Sequence, residues 1–358
     1  MDITRRELFK MAGVAALGAA VGQFTTQTAE AAKAKKVLKL NAAPVVGSKN
    51  VTGTKYKGTA AKVYFTEKID APHLIKLYRK INGEIFGKVA IKLHTGEPQG
   101  PNILPRDMIK AFQAQVPNSA IVETNTLYVG KRYTTEDHRE TLRTNGWDFC
   151  DVDIMDADEG YVNFPVKNGF HLKEVAMGAH LANYDSVVVL THFKGHAMGG
   201  FGGSLKNIAI GMASGHKGKL QVHGYDGEKF GMPPVNVDWF DGVTFPLKEH
   251  FMERMADSGK ATCDYFGKRI VFLNVMRRMS VDCDCAGTSA AEPTCADVGI
   301  LASTDILAID QACCDLVWTA NDTADLRERI ESRHGLRQLS AMAELKMGNP
   351  QYELIEVK

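Results

Sequence analysis

Two cysteines separated by one residue, Cys283 and Cys285 in Asp282-Cys283-Asp284-Cys285, give the strongest chemical signal in the chain. Residues i and i+2 of an extended segment point to one side, so both thiolates can reach the same soft metal ion. Cys295, ten residues further on, is a candidate third sulfur ligand. A C-x-C pair is looser than the paired C-x-x-C knuckles of structural zinc sites, which are absent here. The same residues also fit a disulfide formed after export, or free buried thiols. Cys313 and Cys314 fall in a predicted helix, where cysteine is usually a small buried hydrophobe, and Cys150 and Cys263 have no partner pattern.

Residues 192–207 (His-Phe-Lys-Gly-His-Ala-Met-Gly-Gly-Phe-Gly-Gly-Ser-Leu-Lys-Asn) carry the second signal. The glycines, among them Gly199, Gly200, Gly202 and Gly203, permit positive φ and close approach of backbone N–H groups to a ligand. Ser204, Lys206 and Asn207 fall near a helix start, where amide dipoles favour a carboxylate or phosphate. His192 and His196 suit metal ligation and proton transfer equally, because imidazole is largely neutral near pH 7. There is no G-x-x-x-x-G-K-[ST], so nucleotide hydrolysis gains no support. The competing reading is a glycine turn needed only for tight packing of a helix on a sheet. A third segment, residues 92–97 (Lys-Leu-His-Thr-Gly-Glu), follows a strand directly and offers His94 and Glu97 as further catalytic candidates. Asp305 and Asp310 are candidates for supporting such a site, Asp305 equally as a helix cap.

Elements must bring these segments together. Apolar runs predict strands over 62–66, 88–93, 120–123, 150–155, 186–191, 268–275, 300–302 and 352–357. Helical spacing predicts helices over 71–81, 106–116 with Pro105 at the first position, 135–145 with Thr135 as cap, 172–183, 208–214, 306–318 and 323–346. This alternation implies an α/β fold, a largely parallel sheet flanked by helices with room for two α/β lobes.

Composition bounds the function classes. In 358 residues, 43 basic and 42 acidic side chains leave a formal charge of +1, which removes the electrostatic case for nucleic-acid or anionic-membrane binding. A 44% hydrophobic content supports a large core and excludes a disordered chain. Residues 1–31 read as an export signal: Thr4-Arg5-Arg6 with Leu8-Phe9-Lys10, a short apolar run, then Ala29-Glu30-Ala31 for a peptidase. The paired arginines resemble a twin-arginine signal, implying the twin-arginine export machinery as partner and a periplasmic destination. The apolar run is too short to leave a stable membrane span, which needs roughly 20 residues. Residues 32–59 read as an extended lead-in, and 60–358 as a single α/β domain.

Taken jointly, residues 91–97, 192–207 with Ser214 and Gly218-Lys219, 282–285, and 297–305 running into 308–312 resemble the domain of unknown function 362 family, often labelled an uncharacterised iron–sulfur centre protein. The matches follow the family's order over residues 62–320. Many members carry a ferredoxin-like insert with C-x-x-C-x-x-C runs; here residues 219–267 contain only Cys263, so that route to a cluster is missing. The run 196–206 also resembles the H…G-F-S-G-G-x-K segment of nickel-pincer lactate racemases, which helps hold a nickel cofactor beside a hydroxyacid. That resemblance implies His192 or His196 as proton shuttle or ligand, and Lys206 as a holder of carboxylate or phosphate.

The expectation is an exported protein that binds a transition metal or iron–sulfur cluster and acts as an enzyme on a small anion. Cys283 and Cys285 would be ligands, His192 or His196 would complete the shell or move protons, and Lys206 and Asn207 would anchor the anion. The alternative is a non-catalytic metal or iron–sulfur module for electron transfer or cofactor delivery. A redox protein using the cysteine pair, and a scaffold with relic sites, are weaker readings.

Overall fold

A computed structural model describes residues 60–158, 160–225, 238 and 248–358. The expected export signal and lead-in lie outside them. The first half alternates as the sequence suggests: β1 (Ala61–Thr66), α1 (Ala71–Ile81), β2 (Val89–Lys92), α2 (Arg106–Gln113), β3 (Ser119–Glu123), α3 (Thr135–Thr144) and β4 (Val152–Ile154). A hairpin of β5 (Tyr161–Pro165) and β6 (Glu174–Gly178) leads to β7 (Ser186–His192), and a second hairpin pairs β8 (Lys194–His196) with β9 (Gly200–Gly202). Then come α4 (Ser204–Gly211), α5 (Gly218–His223), α6 (Glu249–Phe266), β10 (Ile270–Met276), β11 (Gly299–Ser303), α7 (Ile306–Thr319), α8 (Ala324–Ser332), α9 (Arg337–Glu344) and β12 (Tyr352–Glu356).

Eight strands form one sheet in the order β12-β1-β11-β10-β7-β2-β3-β4. Only β11 runs antiparallel to its neighbours. The sheet passes unbroken from β7 to β10, so the chain on either side of the glycine-rich turn shares one sheet. Burial explains the central strands, because every residue of β7 and β10 is buried and a strand covered on both faces can be apolar throughout. Side chains alternate faces. Val187 and Val189 join the core shared with Leu205, Met252 and Leu307, while Val188 and Leu190 join the core shared with Leu74, Phe112 and Trp147. Among the described residues, no helix is long and apolar enough to cross a membrane.

Differences from the expected elements have local causes. Residues 172–183 form β6 and a short 3-10 turn instead of a helix, because 174–178 pair with β5, a strand the sequence reading did not assign. The helix expected over 323–346 is two, α8 and α9, broken where His334 takes φ +56° and a Cβ on Gly335 would stand 3.1 Å from Gly200 Cα. Thr134, not Thr135, caps α3, accepting from Asp137 N at 3.2 Å. Pro105 occupies the cap position of α2 rather than its first turn. The helix expected at 208–214 begins at Ser204, and α6 was not anticipated.

Candidate functional site

Three apolar strands end in polar side chains at the same edge of the sheet: Lys92 on β2, Glu123 on β3 and His192 on β7. β2 and β7 are neighbours whose chain connections lead to opposite sides, the crevice where α/β sheets take ligands. Lys92 Nζ donates to Glu123 Oε2 at 2.8 Å and to Leu93 O. Glu123 Oε1 accepts from Thr95 N at 2.8 Å and Thr95 Oγ1 at 3.1 Å, with His94 Nδ1 3.6 Å away. Burial works against ionising Glu123, but Lys92 and His94 outweigh it and hold the carboxyl well below its usual range.

The loop after β10 brings the sulfurs to this edge. Cys283 Sγ lies 3.6 Å from Lys206 Nζ and 3.5 Å from His94 Nε2. A hydrogen bond from the Cys285 thiol, helped by Lys206 and Lys194, holds Cys283 well below the usual thiol range against its burial. Cys285, the donor, is pushed up by the same bond and by burial. The two thiols titrate as a pair in which ionisation is favoured on Cys283. The cause of their convergence differs from the extended segment expected: Cys283 is extended, but a 3-10 turn begins at Asp284. Asp284 takes His192 Nδ1 at 2.8 Å and Lys194 Nζ at 3.1 Å.

His196, Cys283 and Cys285 present ligand atoms within 4.8 Å of one another. Among the described residues this is the only such group that contains cysteine. His196 Nδ1 accepts from Gly199 N at 2.8 Å, and burial, then Lys206, push the ring down to about 3. A neutral ring whose Nδ1 accepts carries its proton on Nε2. His196 is thus set as a donor, and ligating a metal through Nε2 would break the bond to Gly199. The two sulfurs suit a soft metal ion once the Cys285 thiol gives up its proton. A four-cysteine cluster shell is not assembled, because no other cysteine joins the group.

Beside the sulfurs lies a cleft of about 320 Å³. Among the described residues, Lys92, Arg132, Lys194, Lys206 and Lys219 line it against one carboxylate, Glu123. Arg132 donates to Glu97 Oε1 at 2.8 Å, and Tyr128 OH donates to the same oxygen at 2.6 Å. Lys219 rests on neutral acceptors, Thr124 Oγ1 at 2.7 Å and Asn125 O. Burial pushes Lys219 down to about 7.

The sequence matches the family described as Domain of unknown function (DUF362) over residues 89–315, well over half its length. The chain belongs to this family. No curated protein matches it. Among solved structures it is similar to the lactate racemase apoprotein from Thermoanaerobacterium thermosaccharolyticum, with TM-score 0.40 and 14% identity over 72% of this chain and 57% of that one. It is also similar to a protein of Thermotoga maritima, with TM-score 0.34 and 12% identity over 57% of this chain and 50% of that one. The chain thus spans about half the length of either.

In this DUF362 protein the residues singled out in the sequence divide into two sets. His94, His196, Gly202, Gly203, Lys206, Asn207 and Cys285 line the cleft, and Cys283 touches it through His94 and Lys206. The others stand elsewhere. Both ring nitrogens of His192 face acceptors, Asp284 Oδ2 and Arg277 O at 2.8 and 2.7 Å, so neither is free to ligate. Glu97 positions Tyr128 and Arg132 instead of reaching the cleft. Cys295 Sγ sits on Met279 O at 3.8 Å, burial pushes its thiol up to about 11, and it does not join the other sulfurs.

The start of α4 does hold an anion, but that anion is internal. Asp310 accepts from Ser204 N and Leu205 N at 2.8 and 2.9 Å, while Ser204 Oγ donates to Asn274 Oδ1 at 2.7 Å. Gly203 must be glycine for this, since a Cβ would stand 2.5 Å from Asp310 Oδ1. Gly199 and Gly200 serve the hairpin: Gln338 Nε2 donates to Gly199 O at 2.7 Å, and Gly200 takes φ +76°. Asp305 caps α7, accepting from Ala308 N at 2.9 Å.

Sequence reasoning missed Lys92, Glu123, Tyr128, Arg132, Lys194 and Lys219 as site residues. A charged residue closing an apolar strand, as in Val-Ala-Ile-Lys and Ser-Ala-Ile-Val-Glu, is the signal that could have found the first two.

Proposed function

We propose that this DUF362 protein is exported, holds a transition metal or metal cofactor on Cys283 and Cys285, and acts as an enzyme on a small anion bound in the adjacent cleft. The observation that carries this reading is the buried cysteine pair, Cys285 lining the cleft and Cys283 held against its Lys206 and His94, beside five cationic side chains and one carboxylate among the described lining residues. A soft metal ion bound to the sulfurs would supply a Lewis-acid or redox centre. Lys206 neutralises the thiolate and orients an anion beside it. The Nε2–H of His196 donates to that ligand or passes it a proton, and Lys219 and Arg132 bind its distal charge. Export rests on Arg5-Arg6 and the apolar run behind them. The non-catalytic alternative gives these cations no task beyond balancing the thiolate.

Elemental analysis and an absorption spectrum of full-length protein recovered after export test the reading. The expected result is one metal ion per chain with a thiolate charge-transfer or metal-specific signature that Cys283→Ser abolishes. Metal-free protein that binds small anions equally well with and without Cys283 would sink it.

A further inference from the structure

A second group of ligating side chains lies outside the cleft. His250 and Glu253 occupy the first turns of α6, three residues apart and so on one face. His171 comes from the loop between β5 and β6. Ligand atoms of the three lie within 4.8 Å of one another. Glu253 Oε2 is 2.7 Å from His171 Nε2 and 3.6 Å from His250 Nδ1. A tetrahedral metal ion with bonds of about 2.0–2.1 Å spaces its ligands roughly 3.3 Å apart, between those two separations.

The surroundings hold each ligand in place. Asp257, one turn along α6 and fully buried, accepts from the backbone N–H groups of Phe170, His171 and Leu172 at 2.8, 2.8 and 2.9 Å. That clamp fixes the His171 backbone over Glu253. Arg337 on α9 donates to Glu253 Oε1 at 2.7 and 3.1 Å and stacks on Phe170, its carbon 5.1 Å from the ring centroid. Oε1 is thereby occupied and Oε2 is turned toward the histidines. Outer residues that orient ligands in this way are a regular part of metal sites.

We propose that His171, His250 and Glu253 form a second metal site, for a divalent cation of the zinc class. Two imidazoles and a carboxylate are a zinc donor set, with the fourth position open to water. The bound ion joins the β5–β6 loop to the start of α6. Phe251 on the same turn lines the cleft, so the ion steadies one wall of it.

The site is tested with Zn²⁺ alone, by calorimetric titration of the full-length Cys283→Ser/Cys285→Ser variant, whose sulfur pair is silent. One zinc per chain is expected, with thermal stability that rises with zinc concentration. His171→Ala and His250→Ala should each weaken binding on the order of 100-fold, the upper end of what loss of an outer residue costs. His250 is exposed, so its variant should match the parent in melting temperature without metal. Titration of wild-type protein with Co²⁺ provides a second readout if the double variant misfolds: weak visible bands of nitrogen and oxygen ligation that disappear in His250→Ala. No saturable zinc binding below about 100 μM, or unchanged affinity in both histidine variants, overturns the proposal.

Discussion

On the sulfur wall of the cleft, each buried charge meets an opposite one: Cys283 faces Lys206, and Asp284 faces His192 and Lys194. On the wall formed by the loop after β3 and by Lys219, the balance is incomplete. Arg132 has Glu97, but Lys219 hydrogen-bonds a hydroxyl and a carbonyl, and burial outweighs the pull of Asp156 and Glu123 and pushes it down to about 7. The first wall keeps its charge state without a ligand, whereas the second gains most of its electrostatic stabilisation when an anion arrives. One cleft thus combines a preset reactive group with a wall that responds to the ligand.

Glu123 joins the two walls, and removing it should have the largest effect. Glu123→Ala leaves Lys92 buried without its counter-ion, which should cost about 3–5 kcal/mol in chemical denaturation. Retained stability would mean that the walls do not depend on this junction. Next comes the sulfur wall itself. Metal-free, reduced protein should show the ultraviolet absorbance of one thiolate at pH 6.5, and Cys283→Ser should remove it. Lys206→Met should raise the pH at which that absorbance appears, because the nearest cation is gone.

The responsive wall makes a smaller and pH-dependent prediction. Lys219 is charged below about 7 and neutral above it, so affinity for phosphate or a small carboxylate should rise as pH falls from 8.5 to 6. His196 and His223 are held down to about 3 and about 4, burial being the main cause, and do not titrate in that range. Lys219→Met should lower affinity about tenfold at pH 6 and flatten the profile. Without ligand, stability should fall as pH drops from the ordinary lysine range toward 7, because the unfolded chain takes up this proton first. The smallest effect on binding is expected for Glu97→Gln, which loosens Arg132 and Tyr128: a loss of about two- to fivefold in anion affinity, with stability lowered by about 1–3 kcal/mol because Arg132 is buried and loses its counter-charge.

Strands were easier to read than the cleft they frame. β7 and β10 are legible because unbroken runs such as Val-Val-Val-Leu leave few alternatives to a strand covered on both faces. His94, His196, Lys206 and the cysteine pair were legible as local crowding of reactive types. Their partners were not. Glu123 meets Lys92 across 31 residues, Asp310 meets Ser204 across 106, and Asp284 meets His192 across 92, and no local pattern encodes such pairings. Arg132 and Lys219 are ordinary surface types in sequence, and only tertiary burial makes them chemically distinct. His192 shows the converse, a residue of the right type and place whose two nitrogens are already taken.

The bonds that finish the glycine-rich hairpin also set an order of assembly. Residues 194–203 lean on Asp310 through the start of α4 and on Gln338 through Gly199 and Phe201, so the hairpin is finished only once α7 and α9 are in place. During synthesis the central strands can form while this wall still lacks its support. A chain in which α9 has not yet docked therefore lacks the finished hairpin wall of the cleft.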